Sequence, residues 1–474
     1  MDVQVTLAGR GDLAARIYRQ LLDAILDGRL RAGERLPPSR ELAQQLEVSR
    51  NTVATAYERL TAEGFLVGKV GAGTFVSTEP LTRLRVRTAP AGLGVQPRSL
   101  WKSLPPATME QQTSPYDFRI GLPDPDLFPL QTWRRLVVRE LRASALRTTA
   151  YSGPAGHPAL REAIARYIGV SRSVRTGADD VLVTSGAQQA LDLIGRVLVE
   201  PGRRVAVEEP GYPPARNLFA SQGARVSGVP VDDEGLVVEA LPDDAALVYV
   251  TPSHQFPLGT PMSLARRTAL LAWAERRGAV VVEDDYDSEF RFSDRPLEPL
   301  QSLDSGGRVI YVGSFSKTLL PRLRLGFLVA PASLQPALLA AKQLTDWHSE
   351  LTNQAALARL IDEGLLARHI RKAAREYAAR RALILDALTT DLSEYLTPVP
   401  SAAGLHLAAF TRVDADHLAD EAGAAGIALE TLSRYSFGPQ PLNGLALGYG
   451  LIPQPRIPAA LDRLHTLLRA LVGR

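Results

Sequence analysis

A chain of 474 residues exceeds one ordinary domain and accommodates two or three. With 45% apolar and 22% charged residues, no bilayer-length apolar run and no signal segment, it is predicted to be a cytoplasmic globular protein without a membrane partner. The lack of cysteine excludes disulfides and thiolate metal sites, and no metal is expected; the net charge of +3 resolves into ten basic against ten acidic residues over 1–80, five against none over 81–109, and 39 against 41 beyond.

At the N-terminus, Ile17, Leu21, Leu22 and Ile25 recur at helical spacing and Gly28 follows as a stop signal. Leu42, Ala43 and Leu46 mark a second short helix that starts after Pro37-Pro38-Ser39. Ser49 is suited to cap a third helix whose inner face is Val53, Tyr57 and Leu60. Its other face offers Arg50, Asn51, Thr52 and Thr55, side chains that fit phosphates and base edges. Two short strands within Phe65 to Val76 flank Lys69-Val70-Gly71-Ala72-Gly73-Thr74. Three helices and a glycine-tipped hairpin predict a winged helix-turn-helix over residues 1–78. Its neutral charge, unusual for a DNA binder, leaves a trihelical interaction module as the alternative, although charge can be concentrated on one face. Residues 79–113 hold the whole net charge in Arg83, Arg85, Arg87, Arg98 and Lys102, are rich in Pro, Gly and Ala, and read as a basic flexible linker.

Residues 114–474 alternate short apolar runs with helical segments. Val181 to Thr184, Val205 to Val207, Leu247 to Val250, Ala279 to Glu283 and Val309 to Val312 have the pattern of strands buried on both faces of a helix-covered sheet. Chemistry is expected at their carboxyl ends. There the chain places Ser185-Gly186-Ala187 at a helix start, Tyr212 after Glu209-Pro210-Gly211, Asp284 in Glu283-Asp284-Asp285-Tyr286-Asp287, and Lys317 in Ser314-Phe315-Ser316-Lys317-Thr318. A lysine forms a Schiff base only when neutral, so one set between hydroxyls and followed by Arg322 and Arg324 suits an aldehyde cofactor bearing a phosphate. A buried carboxylate at Asp284 suits a protonated pyridine nitrogen.

Two stretches carry a resemblance. The run Gly33-Glu34-Arg35-Leu36-Pro37-Pro38-Ser39-Arg40-Glu41-Leu42-Ala43, then Val48 to Val53 and Gly71 to Val76, resembles the GntR family of bacterial regulators, with Pro38 where serine is usual. Ser-Phe-Ser-Lys-Thr and Glu-Asp-Asp-Tyr-Asp-Ser-Glu-Phe resemble fold-type I aminotransferases, and the two in this order resemble the MocR subfamily, which fuses both folds. The resemblance implies an α/β fold with a large mixed sheet, helices on both faces and a smaller α+β part. It implies that Lys317 joins pyridoxal 5'-phosphate covalently, Asp284 pairs with the ring nitrogen, Tyr286 bonds the phenolic oxygen and Tyr212 stacks on the ring. Ser185, Gly186, Ala187, Ser314, Ser316 and Arg324 would hold the phosphate, and Tyr151 would reach the phosphate of a neighbouring subunit in a head-to-tail homodimer. In the N-terminal domain, Arg40, Arg50 and Thr52 would contact double-stranded operator DNA with Ser49 and Asn51 beside them, and the wing, with Lys69, Gly71, Gly73 and Thr74, would reach a groove.

Two departures stand against full catalysis. Phe256 occupies the place of the asparagine in Asn-Pro-x-Gly, and Leu445-Ala446-Leu447-Gly448-Tyr449 lacks the arginine that clamps a substrate carboxylate. Arg434 is the nearest substitute and the candidate for effector binding. The expected function is a transcriptional regulator that senses an amine, an amino acid or the cofactor itself. The alternative is a working aminotransferase with an appended DNA-binding domain.

Overall fold

The computed structural model describes residues 12–69, 71–78, 94–104, 114–142, 151–292 and 298–472. Contacts divide the chain into two compact units, residues 1–97 and 98–474.

In the first unit, α1 (Leu13–Leu26), α2 (Ser39–Gln45) and α3 (Arg50–Ala62) precede an antiparallel hairpin of β1 (Leu66–Lys69) and β2 (Gly73–Val76). The apolar periods do what their spacing implies: Ile17, Leu21, Ile25, Leu42, Val53, Leu60 and Val76 meet in one buried core. Ser49 caps α3 by accepting from the Thr52 amide at 3.1 Å. Val70, at the wing tip, lies outside the described residues.

Of the expected linker, Arg83, Arg85 and Arg87 lie outside the described residues. The described part departs from an unstructured reading. Ser99–Ser103 form a single helical turn, anchored where Arg98 donates to the Ser221 carbonyl at 3.3 Å.

The second unit opens with β3 (Tyr116–Asp117) and builds an eight-stranded sheet from β4 (Val181–Thr184), β5 (Arg204–Glu209), β6 (Arg225–Asp232), β7 (Gly235–Leu236), β8 (Ala245–Val250), β9 (Val280–Asp285), β10 (Val309–Ser314) and β11 (Gly326–Val329). The spatial order is β4-β11-β10-β9-β8-β5-β6-β7. Strands β6, β5, β8, β9 and β10 run parallel, and β11 is antiparallel to both β10 and β4. Alternation along the strands explains why helices cover both faces. Val205 and Val207 pack with Leu191, Ile194 and Phe219 on one side, while Ala206, Val248 and Val281 pack with Leu270 and Trp273 on the other. Strand β9 extends to Asp285, beyond the expected Glu283, because its ladder with β10 continues to the pair Gly313 and Asp285. That extension fixes Asp284 in the sheet.

A smaller lobe contains β12 (Leu396–Pro398), β13 (His406–Thr411), β14 (Ile427–Ala428), β15 (Glu430–Thr431) and β16 (Gly444–Gly448). Strands β12-β13-β16-β15 form one antiparallel sheet, and β14 pairs with β3. Helices Leu365–Thr389, Ala415–Ala424 and Ile457–Val472 cover it. Among the described residues, no helix is long and apolar enough to cross a membrane.

Beside β9 lies a buried ionic cluster. Arg172, the last residue of helix Pro158–Arg172, sits 3.3 Å from Asp285 and 3.6 Å from Glu289, and Tyr311 donates to Asp285 at 2.6 Å. Removing one partner of such a pair leaves charge without compensation in a low dielectric. Arg172→Leu is expected to lower the unfolding free energy by about 3–5 kcal/mol in urea denaturation.

Candidate cofactor site and DNA-binding face

The strand-to-helix turns at the carboxyl ends of β4, β5, β9 and β10 converge on a cavity of about 250 Å³. It gathers Ala187, Tyr212, Asp284, Tyr286, Ser314, Ser316, Lys317 and Arg324 from segments far apart in the chain. The parallel register that sets Val312 opposite Asp284 brings Lys317, a few residues past the end of β10, to the same end of the sheet.

At one end of the cavity, Ser314 and Ser316 share a hydroxyl contact of 2.9 Å and the Ser316 amide donates to Ser314 Oγ at 3.1 Å. Arg324 reaches in from the rim, donating to the Ser185 carbonyl at 2.5 Å. Two backbone conformations make this possible. Gly186 has φ +82°, where a Cβ would meet the Arg324 guanidinium at 3.0 Å, and Arg324 itself sits in the left-handed region at φ +52°. Ser185 and Gly186 therefore flank the cavity through this arginine. Arg322 is exposed and does not line it.

At the centre, Lys317 Nζ donates to the Gly121 carbonyl at 2.6 Å. Burial pushes its pKa down, against the opposing pull of Asp287 and Asp284. Asp284 is the acid opposite. Its Oδ2 accepts from the Tyr249 hydroxyl at 2.8 Å, and its Oδ1 is buried with no hydrogen-bond partner among the described residues. Burial raises its pKa to about 7. Tyr286 donates to the His254 carbonyl at 2.9 Å and lies 3.1 Å from His254 Nδ1, which in turn faces both oxygens of Asp287 at 3.1 Å. Tyr212 packs edge-on to Phe256 with ring centroids 5.3 Å apart.

Tyr151, expected to serve a neighbouring subunit, is 75% exposed and packs on Trp347 at 4.7 Å, outside the cavity of its own chain. One expected site residue is elsewhere. Arg434 is exposed on the turn Leu432–Tyr435 and does not line the cavity; its neighbour Tyr435 packs against Phe256 at 5.0 Å instead. Several lining residues escaped the sequence reading: Gly121, Leu122, Gln188, Tyr249, Thr251, Pro321 and His406. Only Tyr249, near the carboxyl end of β8, and Thr251, just beyond it, carried a signal.

In the first unit, Arg40, Arg50 and Asn51 are exposed and Thr52 is half-buried. Arg40 and Arg50 have no ion-pair partner among the described residues, whereas Arg29 pairs with Asp27 and Arg59 with Glu63. Ser49 Oγ is engaged with Thr52 Oγ1 at 2.8 Å, so its hydroxyl serves the helix start. Lys69, Gly71 and Gly73 are exposed in the wing and Thr74 is half-buried. Gly71 and Gly73 have φ +77° and +111°, and Arg35 Nε would lie 3.0 Å from a Cβ on Gly73. Arg35 thus stands beside the wing, a neighbour that spacing did not reveal.

Fold and site together define a winged helix-turn-helix unit joined to an aminotransferase-type unit. The family "Aminotransferase class I and II" matches residues 121–431, and "Bacterial regulatory proteins, gntR family" matches residues 13–76. The chain is 39% identical to the probable rhizopine catabolism regulatory protein MocR of Rhizobium meliloti, over 96% of this chain and 94% of that one. It is 36% identical to the HTH-type transcriptional regulator TauR of Rhodobacter capsulatus, over 97% of each. Among solved structures, the kynurenine aminotransferase of Pyrococcus horikoshii, crystallised in complex with PMP, superposes with a TM-score of 0.70 at 28% identity, covering 79% of this chain and 98% of that one. The chain belongs to the MocR-type branch of the GntR transcriptional regulators, which carry a class I and II aminotransferase domain. The fold is one that implies pyridoxal phosphate.

The acid in the cavity has a measurable consequence. A carboxyl whose folded pKa, about 7, lies above its unfolded value holds an extra proton in the folded state, so its stability contribution is present at low pH and lost as pH rises towards and through 7. Asp284→Asn is therefore expected to gain stability over the cofactor-free parent progressively from pH 5 to 8 on the scale set by that shift. Paired thermal unfolding at the two pH values checks this.

Proposed function

We propose that the protein holds pyridoxal phosphate on Lys317 and uses the occupancy of that site to set the affinity of its winged helix for operator DNA. The observation that carries this reading is one cavity containing a lysine whose amine burial pushes towards neutrality and, opposite it, a carboxyl with an unpartnered buried oxygen. Pyridoxal phosphate fits these residues. Its anionic end suits Arg324, Ser314, Ser316 and the helix start at Ala187. Its ring nitrogen suits Asp284 Oδ1, and Tyr212 and Tyr286 supply a stacking face and a phenol partner. When bound, the cofactor supplies an aldehyde carbon that exchanges one amine for another.

The chain's own residues do the rest. Asp284 holds a proton at the bottom of the cavity, where Tyr249 fixes its other oxygen. Tyr286 is oriented by the His254 carbonyl and by the His254–Asp287 pair behind it. Lys317, when not joined to the cofactor, would donate to the Gly121 carbonyl as it does here. Occupancy reaches the smaller lobe through the segment next to Tyr212. Glu209 accepts from the amides of Phe437 at 3.0 Å and Gly438 at 3.2 Å, and the Gly211 amide donates to the Tyr435 carbonyl at 3.1 Å. A preference of about 1–3 kcal/mol for one arrangement changes DNA affinity by roughly 5- to 150-fold.

The assembly we propose is a head-to-tail homodimer in which Tyr151, exposed on its own subunit, reaches the phosphate end of the neighbouring cavity. DNA contacts come from Arg40, Arg50, Asn51 and Thr52, with Lys69 to Thr74 at a groove.

Lys317→Ala is expected to abolish borohydride-trapped attachment of pyridoxal phosphate, read by intact mass, with circular dichroism unchanged. Attachment persisting in the variant would remove the lysine from this role. Arg50→Ala is expected to weaken binding to the DNA upstream of the protein's own gene by about 1–3 kcal/mol at fixed salt, measured by fluorescence anisotropy against competitor DNA.

A further inference from the structure

Lys342, in helix Gln335–Asp346, is fully buried and does not line the cavity. A buried ammonium is costly, and an apolar residue of similar length often serves stability as well, so its contacts have to account for it. Its Nζ donates to Asp346 Oδ1 at 2.5 Å and to Ser349 Oγ at 3.0 Å. Both contacts lead to Ser185. Asp346 Oδ2 accepts from Gln189 Nε2 at 2.8 Å, and Gln189 Oε1 accepts from the Ser185 amide at 2.8 Å. Ser349 Oγ lies 3.1 Å from Ser185 Oγ. Lys342, Asp346, Gln189, Ser185 and Ser349 thus close one hydrogen-bonded ring.

The chain turns sharply to close it. The His348 amide donates to the Asp346 carbonyl at 2.6 Å around Trp347, which has φ +59° and ψ −65°. That is a γ-turn of the strained hand, rare for a bulky residue and kept where the surroundings fix it. It lets Asp346 and Ser349 return to the same nitrogen.

Each polar group of Ser185 is therefore held. Gln189 takes the amide, Arg324 donates to the carbonyl at 2.5 Å, and Ser349 meets the hydroxyl. Burial lowers the pKa of Lys342 against the pull of Asp346, and it raises that of Asp346, whose bonds to Lys342 and Gln189 more than offset the rise. Paired with a carboxylate, Lys342 is an ammonium, which can only donate. Ser349 Oγ accepts from it, and the Ser349 proton turns to the nearer acceptor, Ser185 Oγ at 3.1 Å rather than Asp346 Oδ2 at 3.5 Å. The Ser185 hydroxyl then keeps its own proton to give to an anion. A cation at the head of such a chain strengthens each donor after it.

Resting on the reading of Arg324, Ser314 and Ser316 as the phosphate end of the cavity, we infer that Lys342 is a positioning residue for that end. Through Ser349, and through the Asp346–Gln189 pair, it sets Ser185 so that the serine hydroxyl donates to the phosphate of the cofactor.

The test compares pyridoxal phosphate with pyridoxal, which lacks only the phosphate, on the full-length protein in phosphate-free buffer at one pH. Affinity for each aldehyde is read from its absorbance band on titration. Ser349→Ala leaves the Lys342–Asp346 pair in place and cuts its link to Ser185; Lys342→Met removes the donor at nearly constant length, and Lys342→Gln keeps a polar group there without charge. In each variant the preference for pyridoxal phosphate over pyridoxal is expected to fall about tenfold, the scale of one charge-assisted hydrogen bond. A purely structural role would weaken both aldehydes alike and leave that ratio at the parent value. A parental ratio in folded Ser349→Ala, or in whichever Lys342 variant folds by circular dichroism, would overturn the inference while leaving the cofactor reading intact. Failure of the parent protein to take up pyridoxal phosphate on Lys317 would overturn both.

Discussion

A buried carboxyl is costly in its charged form unless a cation faces it, and Asp284 sets that condition for everything around it. Its place is decided by the parallel ladder of β9 and β10, which puts Val312 opposite Asp284 and delivers Lys317 to the same end of the sheet. Burial acts on the two groups in opposite directions, raising the acid to about 7 and lowering the amine. Each therefore lies nearer its neutral form than it would in water. A cofactor with a cationic ring nitrogen and an aldehyde relieves both conditions at once. The surrounding contacts follow from this pair: Tyr249 holds one oxygen of the acid, and the Gly121 carbonyl holds the amine.

The same sheet end joins two lobes of the second unit. Glu209 ends β5, Tyr212 follows it into the cavity, and the main chain of Gly211 and the carboxylate of Glu209 bind the turn that contains Tyr435, Phe437 and Gly438. A ligand against Tyr212 or Phe256 therefore presses on a contact between lobes. That physical continuity is what a sensor requires and what a DNA-binding unit alone cannot provide. The first unit is simpler in its logic. Arg29 pairs with Asp27 and Arg59 with Glu63, whereas Arg40 and Arg50 are among the arginines without an ion-pair partner among the described residues. A domain of zero net charge can thus present basic side chains on its second and third helices.

Much of this was legible in the chain. Helical spacing of Ile17, Leu21 and Ile25, the cap at Ser49 and the glycine-tipped hairpin are local features, and local features are written in adjacent residues. The five apolar runs became strands of the large sheet, four of them interior and Val181–Thr184 at its edge, because β-branched residues buried on both faces leave few alternatives. Lys317 and Asp284 were recognisable from their immediate neighbours. The short helix Ser99–Ser103 was not, since five residues carry too little periodicity to separate a helical turn from a linker. Arg434 was chosen for its charge and its nearness in sequence to a strand, yet the turn that holds it points Tyr435 at Phe256 and leaves the arginine exposed.

The sequence by itself determined the two kinds of domain and their order, and it singled out a lysine and an aspartate that line one cavity, because these depend on short motifs and on the period of apolar residues. Only the tertiary structure decided who surrounds them. Gly121 and His406 come from segments that meet the cavity through pairings of distant strands and loops, and His406 reaches it because β13 pairs with β16 and its ring binds the Pro257 carbonyl. The apolar wall beside the cavity is likewise a property of assembly. Ile120, Phe256, Ala408 and Ala446 are ordinary apolar residues in the chain, and they make one continuous apolar cluster only when folding sets them side by side.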